Sequence, residues 1–500
     1  MRIIATTSPR AAALVRSACL AAYALLVGCV TPPAESSHSR ELTADGVGLG
    51  TAAVEPAADG WWNGFQDPQL DRLIRRGLEQ SPTLAQAQDR VAQALSLAHA
   101  AQAGLAPHVN LDGSAMYQRA PQNFLIPPPL AGHTFAEGQA GASLAWDLDF
   151  WGRQAEAVRR ARKLSDSARL DVADARLMLA GSITRAYVEL YREYALADIA
   201  LRSEAQRQNI VDITRRRVSA GLDTQLELRE AEGQLPQARV ARSQARAAAD
   251  LAVHQVATLT GQGADAYADI ARPTLEVRAA LPVPATLPIN LLARRPDVLS
   301  ARLGVEAADA GRLAAKAAFY PDVSLRALAG IGAFGLGNLL HASALGASAG
   351  PLISLPLFDG GRLRAQYQGA EADLDSAVDG YNATVLRAVE EAANEITRLD
   401  ALATERVDQQ TTLDASEAAY KLAEERYRAG LASYLSVLNA ETQVLAARQA
   451  MVDIDAAQAT ARVTLLLALG GSFDPRSIPL TASAARIPST PLASSPRVTP

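Results

Sequence analysis

The sequence has 500 residues and a formal net charge of -5, and 49% of its residues are hydrophobic although only 5% are aromatic. An acidic chain with no basic, aromatic-interleaved cluster has no electrostatic case for a nucleic-acid partner, so none is expected. The apolar content is largely Ala, which together with abundant Glu, Gln and Arg favours long helices packed closely together.

Residues 1–28 read as a secretion signal: Arg2, Arg10 and Arg16 give the positive region, and Leu20 to Val27 completes an apolar core too short to span a membrane as a mature helix. It ends in Leu26-Val27-Gly28-Cys29, which resembles the lipobox of bacterial lipoproteins. Cleavage before Cys29 leaves a thiol and an amino group for acylation; at roughly 0.8 kcal/mol per buried methylene, three chains anchor firmly. Val30 follows the cysteine where an Asp would mark retention elsewhere, so the lipobox resemblance implies the outer membrane. The other cysteine, Cys19, falls inside the signal, so no disulfide is expected in the mature chain. Six scattered His residues lack ligand spacing, and no metal or other cofactor is expected.

After a lipidated segment at 29–60, the chain is one unit written twice, over 61–270 and 271–471. Ala103-Gly-Leu-Ala-Pro107 recurs as Ala317-Ala-Phe-Tyr-Pro321, an offset of 214 residues. Gly152-Arg153 recurs as Gly361-Arg362 and Ala220-Gly221-Leu222 as Ala429-Gly430-Leu431, both at 209. So long a period is a duplicated domain and not a solenoid.

Each unit reads helix, strand, strand, long helix, turn, long helix. Strands are expected at about 107–119, 138–150, 321–332 and 345–358. Val109, Leu111, Gly113, Ala115 and Tyr117 alternate with His108, Asn110, Asp112 and Ser114, and Ala140, Ala142, Leu144, Trp146 and Leu148 alternate with polar partners. Period-two alternation in segments of about ten residues fits a membrane β-barrel, apolar to lipid and polar to lumen, but equally a half-buried soluble hairpin. Long helices are expected at 152–218, 222–261, 361–428 and 431–469. A 3.5-residue seam runs through Ala161, Ser165, Ala168, Val172, Ala175, Leu179, Ser182 and Ala186, and another through Ala370, Leu374, Ala377, Tyr381, Val385, Ala388 and Ala392. The helix over 361–428 would be on the order of 100 Å long at 1.5 Å per residue, which demands a bundle or tube. Gly152, Gly360 and Gly361 sit where strand turns into helix. Four strands cannot close a pore, because membrane barrels need at least about eight and an open edge cannot face lipid. The chain must therefore oligomerise, and a ring of three gives twelve strands.

The lipobox Cys29, Trp61-Trp62 with Phe65-x-Asp67-Pro68, Leu291 to Val298 with its Arg294-Arg295-Pro296-Asp297 run, Leu355 to Gly361 and Tyr427-x-x-Gly430 together resemble the TolC-like outer-membrane efflux proteins, in their OprM-like (NodT-type) lipoprotein branch. The match runs from about residue 26 to 471. The resemblance implies a mostly α, α+β fold: a homotrimer with a twelve-stranded outer-membrane barrel, a long periplasmic α-helical barrel and an equatorial domain. It implies a passive channel of a tripartite efflux system for drugs or other small toxic compounds, with a periplasmic adaptor, an inner-membrane transporter and outer-membrane lipid as partners. It also implies that the hairpin tips at Gly221, Leu222, Gly430 and Leu431 receive the adaptor. Where relatives commonly place a Leu and, four residues on, an Asp at the periplasmic gate, this chain has Leu435 and Asn439. Threefold symmetry would crowd three Asp charges there; Asn439 removes that repulsion and the pH sensitivity it brings.

For Arg294, Arg295, Pro296 and Asp297 an architectural role is expected: Pro296 suits the first helical position, Asp297 complements the helix N-terminus, and the arginines pair with carboxylates. Gln122 to Leu130 and Phe334 to His341 are expected as extracellular loops, and 472–500 as a disordered tail.

Two catalytic-looking strings are decoys. Gly330 to Gly335 spells G-x-G-x-x-G after an amphipathic strand, with Leu355 where an acidic residue should follow. Gly346-Ala-Ser348-Ala-Gly350 imitates a nucleophile elbow but lies in a strand. No enzyme is expected. Rival readings are a duct for a protein-secretion exporter and a periplasmic adaptor or scaffold coiled coil, though an adaptor carries one helical hairpin and not two strand-bearing copies.

Overall fold

The computed structural model describes residues 34, 38–43, 45–49, 57–123, 127–128, 130–278 and 291–478; the signal, Cys29 and the chain after 478 lie outside them. In chain order the helices are α1 (Pro68–Gln80), α2 (Pro82–Ala103), α3 (Arg153–Ser219), α4 (Gln225–Leu259), α5 (Pro296–Ala317), α6 (Arg362–Arg428) and α7 (Tyr434–Ala468). The strands are β1 (His108–Arg119) and β2 (Thr134–Asp147) between α2 and α3, then β3 (Asp322–Phe334) and β4 (Leu345–Ser354) between α5 and α6. The duplication is visible in element lengths: α2 and α5 have 22 residues each, α3 and α6 have 67, and α4 and α7 have 35.

The strands form one antiparallel sheet in the order β1-β2-β3-β4. Its register aligns Leu111, Ala142, Ala329 and Ala347 in one cross-strand row and Val109, Leu144, Ala327 and Ala349 in the next row on that face. Paired residues share a face, so the alternating pattern of all four strands converges on a single apolar side. The opposite face carries Asn110, Ser143, Leu328 and Ser348 in one row and Asp112, Gly141, Gly330 and Gly346 in another. A Cβ on Gly330 would meet the Ala140 carbonyl oxygen at 2.5 Å and the Gly141 Cα at 2.6 Å. The sheet therefore curls toward this face, and only glycine lets the backbones approach so closely.

Several boundaries differ from the sequence expectation for physical reasons. β2 spans Thr134–Asp147 and not 138–150, because Asp149 turns away to cap α3, accepting from the Gln154 and Ala155 amides at 2.9 and 2.7 Å. β4 stops at Ser354, and Pro356 has no amide hydrogen with which to extend the ladder to 358. The second helices of the hairpins begin at Gln225 and Tyr434, three residues after the expected 222 and 431, with Thr224 and Ser433 as their N-caps. The expected loop at Phe334 to His341 runs from Gly335 to Ala344 and holds two 3-10 turns. The first part of the tail expected to be disordered from 472 is ordered: Phe473 is buried with Leu170 and Leu303, and Pro475–Ser477 form a 3-10 turn, while the part from 479 lies outside the described residues.

The α6 seam is buried at Leu374, Tyr381, Val385, Ala388 and Ala392. The α3 seam is displaced. Ser165 and Ala186 are buried, but Ala161, Ala168, Val172, Ala175, Leu179 and Ser182 are half-buried, and the deepest stripe runs through Leu170, Leu177, Ala180, Thr184 and Tyr187. α3 packs against α1, α2, α4, α5 and α7, so its buried surface follows several neighbours and not one partner helix.

The largest core lies midway along the helices, where Phe65, Leu70 and Ile74 meet Ile183, Tyr187, Val256 and Val463. Burial of each such side chain contributes about 1.5–3 kcal/mol. Asp67 ties this equatorial layer together: it caps α1 through the Gln69 amide at 2.8 Å and accepts from Tyr187 Oη at 2.9 Å and the Thr274 amide at 2.7 Å. No described helix is long and apolar enough to cross a membrane.

Candidate functional site

The far end of the helical region is formed by two turns, Ala220 to Thr224 and Ala429 to Ser433. Gly221 and Gly430 adopt φ of 72° and 79°, a left-handed backbone that ends one helix and lets the chain reverse. Leu222 and Leu431, next in sequence, are 64% and 71% exposed, which leaves an apolar side chain at the apex of each hairpin.

Behind the apices the hairpins are locked together. Arg217 of α3 donates from Nε and Nη2 to Asp223 at 2.8 and 3.1 Å and from Nη1 to the Tyr427 carbonyl of α6 at 2.9 Å. Tyr427 Oη donates to Asp223 Oδ2 at 2.7 Å and lies 2.8 Å from Thr214 Oγ1, and the guanidinium carbon sits 4.7 Å from the Tyr427 ring centre. The Arg217 bond holds the Asp223 carboxyl below the usual carboxylate range, while burial followed by the Asp223 carboxylate pushes the Tyr427 hydroxyl up to about 12. Both groups stay in one protonation state across physiological pH, as a structural clamp requires. Ile210, Val211, Ile213, Tyr420, Tyr434 and Val437 form an apolar core above it.

A second bolt lies farther along the hairpins. Arg207 of α3 pairs with Glu441 of α7 at 3.1 Å and donates to the Gln234 carbonyl of α4 at 3.0 Å. Gln234 stands two residues before Pro236, where α4 lacks a backbone donor. Burial raises the Glu441 carboxyl above its ordinary range, against the pull of Arg207.

Leu435 and Asn439 lie one turn apart on α7 on the side away from Tyr434 and Val437; Leu435 is 59% exposed and Asn439 is exposed. The structure thus sets these two together, facing out of the protomer's own packing. Cys29 lies outside the described residues. Arg294, Arg295, Pro296 and Asp297 are far from the tips, in the equatorial layer. Arg295 grips Asp297 with Nε and Nη2 at 3.0 and 2.8 Å, and its Nη1 reaches Glu391 of α6 at 2.8 Å and the Ala468 carbonyl ending α7 at 3.1 Å. Arg294 Nη2 donates to the Gly471 carbonyl at 3.5 Å, and Pro296 opens α5. Beside them Asp174 is pushed up to about 6 by burial and by Asp297, Asp171 and Glu391. The two catalytic-looking strings fall in β3 with its following turn and in β4.

Sequence reasoning missed Arg217, Asp223, Thr214, Arg207 and Glu441. A signal was present: Arg217 recurs as Arg426, but Asp223 has only Ala432 as its counterpart, so the first turn alone holds a charge to pair.

A model of the family described as "Outer membrane efflux protein" matches residues 73–262 and 287–471. The chain is 36% identical over 377 residues to the fusaric acid resistance protein FusA of Burkholderia cepacia, covering 73% of this chain and 71% of that one. It is 30% identical to the multidrug resistance outer membrane protein MdtP of Escherichia coli, covering 91% and 95%. The solved outer membrane protein VceC of Vibrio cholerae superposes with a TM-score of 0.77 at 32% identity, covering 84% of this chain and all of VceC.

Proposed function

This chain belongs to the outer membrane efflux protein family, and from that premise we propose that it is a lipid-anchored homotrimeric duct that passively conducts small toxic organic compounds outward. In this reading an inner-membrane transporter supplies the energy. A periplasmic adaptor engages the apolar apices at Leu222 and Leu431, and Leu435 and Asn439 line the constriction behind them. The cargo class follows the resistance roles for which the similar FusA and MdtP are named.

One observation carries the trimer: the four-stranded sheet ends in β1 and β4, whose outer edges have no partner among the described residues, while one face is apolar but for Arg119 and Thr134 at its rim. Such edges are untenable in lipid unless they pair with further copies. A neutral Asn439 ring takes no charge at the constriction, so whatever ion preference the channel has is set elsewhere along the duct.

Chain geometry supports the anchor. The segment from His38 to Leu49 runs along α6 away from the sheet: the His38 and Ser39 amides donate to Asp375 Oδ1 at 3.2 Å each, and Asn382 accepts from the Leu42 amide at 2.8 Å and donates to the Arg40 carbonyl at 2.9 Å. Asp375 lies about 20 Å along α6 from its first residue, whereas the nine residues from Cys29 to His38 can span about 30 Å. Cys29 is therefore within reach of the membrane surface where the strands begin. The test is extraction of the mature protein from outer membranes: a heat-modifiable trimer labelled by radioactive palmitate, with label lost in Cys29→Ser, is expected. A monomer released by salt alone would contradict the reading.

A further inference from the structure

We propose that the chain's own tail, from Pro479 on, seats as an extended strand in the groove between α2 and α3. The inference goes beyond the channel reading and does not depend on it.

The groove is a cavity of about 1030 Å³. Gln88 and Val91 of α2 line it on one side, Val172 and Arg176 of α3 on another, and Trp62 of the 3-10 turn Trp61–Phe65 borders it as well. Ile478, the last described residue, also lines it.

The second copy of the repeat shows what such a groove holds. At the repeat offsets, Val91 corresponds to Val305, Val172 to Tyr381 and Arg176 to Val385. In that copy the groove between α5 and α6 is filled by the chain's own N-terminal segment: Leu42 and Val47 pack on the cluster that contains Val305, Tyr381 and Val385. Asp375 and Asn382 of α6 accept from the segment's His38 and Leu42 amides. The groove between α2 and α3 has the corresponding walls and no such occupant among the described residues.

Its chemistry selects a different kind of segment. The equivalents of Asp375 and Asn382 are Asp166, which pairs with Arg169 at 3.3 Å, and Ala173, so neither repeats the acceptors that hold backbone amides in the second copy. The first groove offers donors instead. Gln88 and Arg176 are exposed and have no hydrogen-bond partner among the described residues. A proline-rich strand suits this lining, because proline has no amide hydrogen and the carbonyls of an extended polyproline strand have no internal partner. Proline rings also pack on aromatic faces such as that of Trp62.

The sequence after Ile478 has that character. It continues Pro479-Leu480-Thr481 and carries further prolines at Pro488, Pro491 and Pro496, with no acidic residue. The chain already leaves the last turn extended, with φ of -101° and ψ of 118° at Ile478, the conformation that a following proline favours. The α3 wall from Arg169 to Ala180 rises about 17 Å, which about five extended residues cover. Twenty-two residues of the sequence follow Ile478.

The test compares maleimide labelling of Val91→Cys in the full protein with the same variant ended after Ile478. Labelling about tenfold slower in the full protein is expected, as for a groove open in only a minor population. Excess synthetic peptide of residues 479–500 should return the shortened protein to the slow rate. Equal rates in the two folded proteins overturn the proposal. Should the shortened chain fail to fold, the full protein carrying the photo-crosslinker p-benzoylphenylalanine in place of Gln88 decides. Mass spectrometry should then find a cross-link to the tail within one chain, at monomer mobility after heating. No cross-link to the tail, or one that joins two chains, overturns the proposal.

Discussion

Arg217 and Asp223 bond in parallel across the first hairpin turn, Nε to Oδ2 at 2.8 Å and Nη2 to Oδ1 at 3.1 Å, and the same carboxylate takes the Tyr427 hydroxyl from the second hairpin at 2.7 Å. One turn is thereby latched to the other. With both ion-pair partners largely shielded from solvent, such charge-assisted bonds contribute about 1.5–3 kcal/mol each.

Asp223→Ala should therefore loosen the tips and raise single-channel conductance in planar bilayers, and Asp223→Asn should do so less because it keeps one acceptor. The pH dependence has a definite sign. A carboxyl depressed in the folded state stabilises above its unfolded pKa, and that stability is lost as pH falls through the folded value. Wild-type conductance should rise only on acidification below about 4, and the Asn variant should lack that rise.

Glu441 separates charge from hydrogen bonding at the deeper bolt. Its carboxyl is raised by burial, so Glu441→Gln should retain a partner for Arg207 without the desolvation cost and leave thermal unfolding nearly unchanged. Glu441→Ala strands the Arg207 guanidinium and should cost about 3–5 kcal/mol. Equal melting shifts for the two variants would remove the ion pair from the account.

Asp174 gives a stability effect of opposite sign to that of Asp223. Its folded value of about 6 lies above the ordinary one, so the stability it brings is complete below about 4 and is lost as pH rises through 6. Asp174→Asn should stabilise the equatorial layer at pH 7.5 by about 1–2 kcal/mol and flatten the pH profile of thermal unfolding between 4 and 7.

Gly330 and Gly346 share a cross-strand row but not an environment. Gly330→Ala places a Cβ into the Ala140 carbonyl and should reduce the yield of inserted, heat-modifiable protein, with a cost of about 1–3 kcal/mol. Nothing lies within 4 Å of a Cβ at Gly346, so Gly346→Ala should insert normally.

Much of the fold was legible because it is written twice: Gly152 and Gly361, Gly221 and Gly430, and Pro82 and Pro296 mark the same joints in each copy. Strand ends were less legible. Where β2 stops depends on Asp149 choosing helix amides over the ladder, and both outcomes suit the same alternation. The α3 seam was misplaced because a helix with five helical neighbours has no single stripe to read. At the tips, Gly221, Leu222, Gly430 and Leu431 were readable from turn chemistry. The latch was not, since Arg217, Asp223 and Tyr427 meet only once two segments some two hundred residues apart have packed.

The most direct measurement is planar-bilayer recording of the purified detergent-extracted protein, wild type beside Asp223→Ala and Asn439→Asp. A conducting duct gives stepwise ohmic conductance, larger in Asp223→Ala, with cation preference increased by Asn439→Asp. Silent bilayers for all three proteins, from preparations that are trimeric and folded, would contradict a conducting duct.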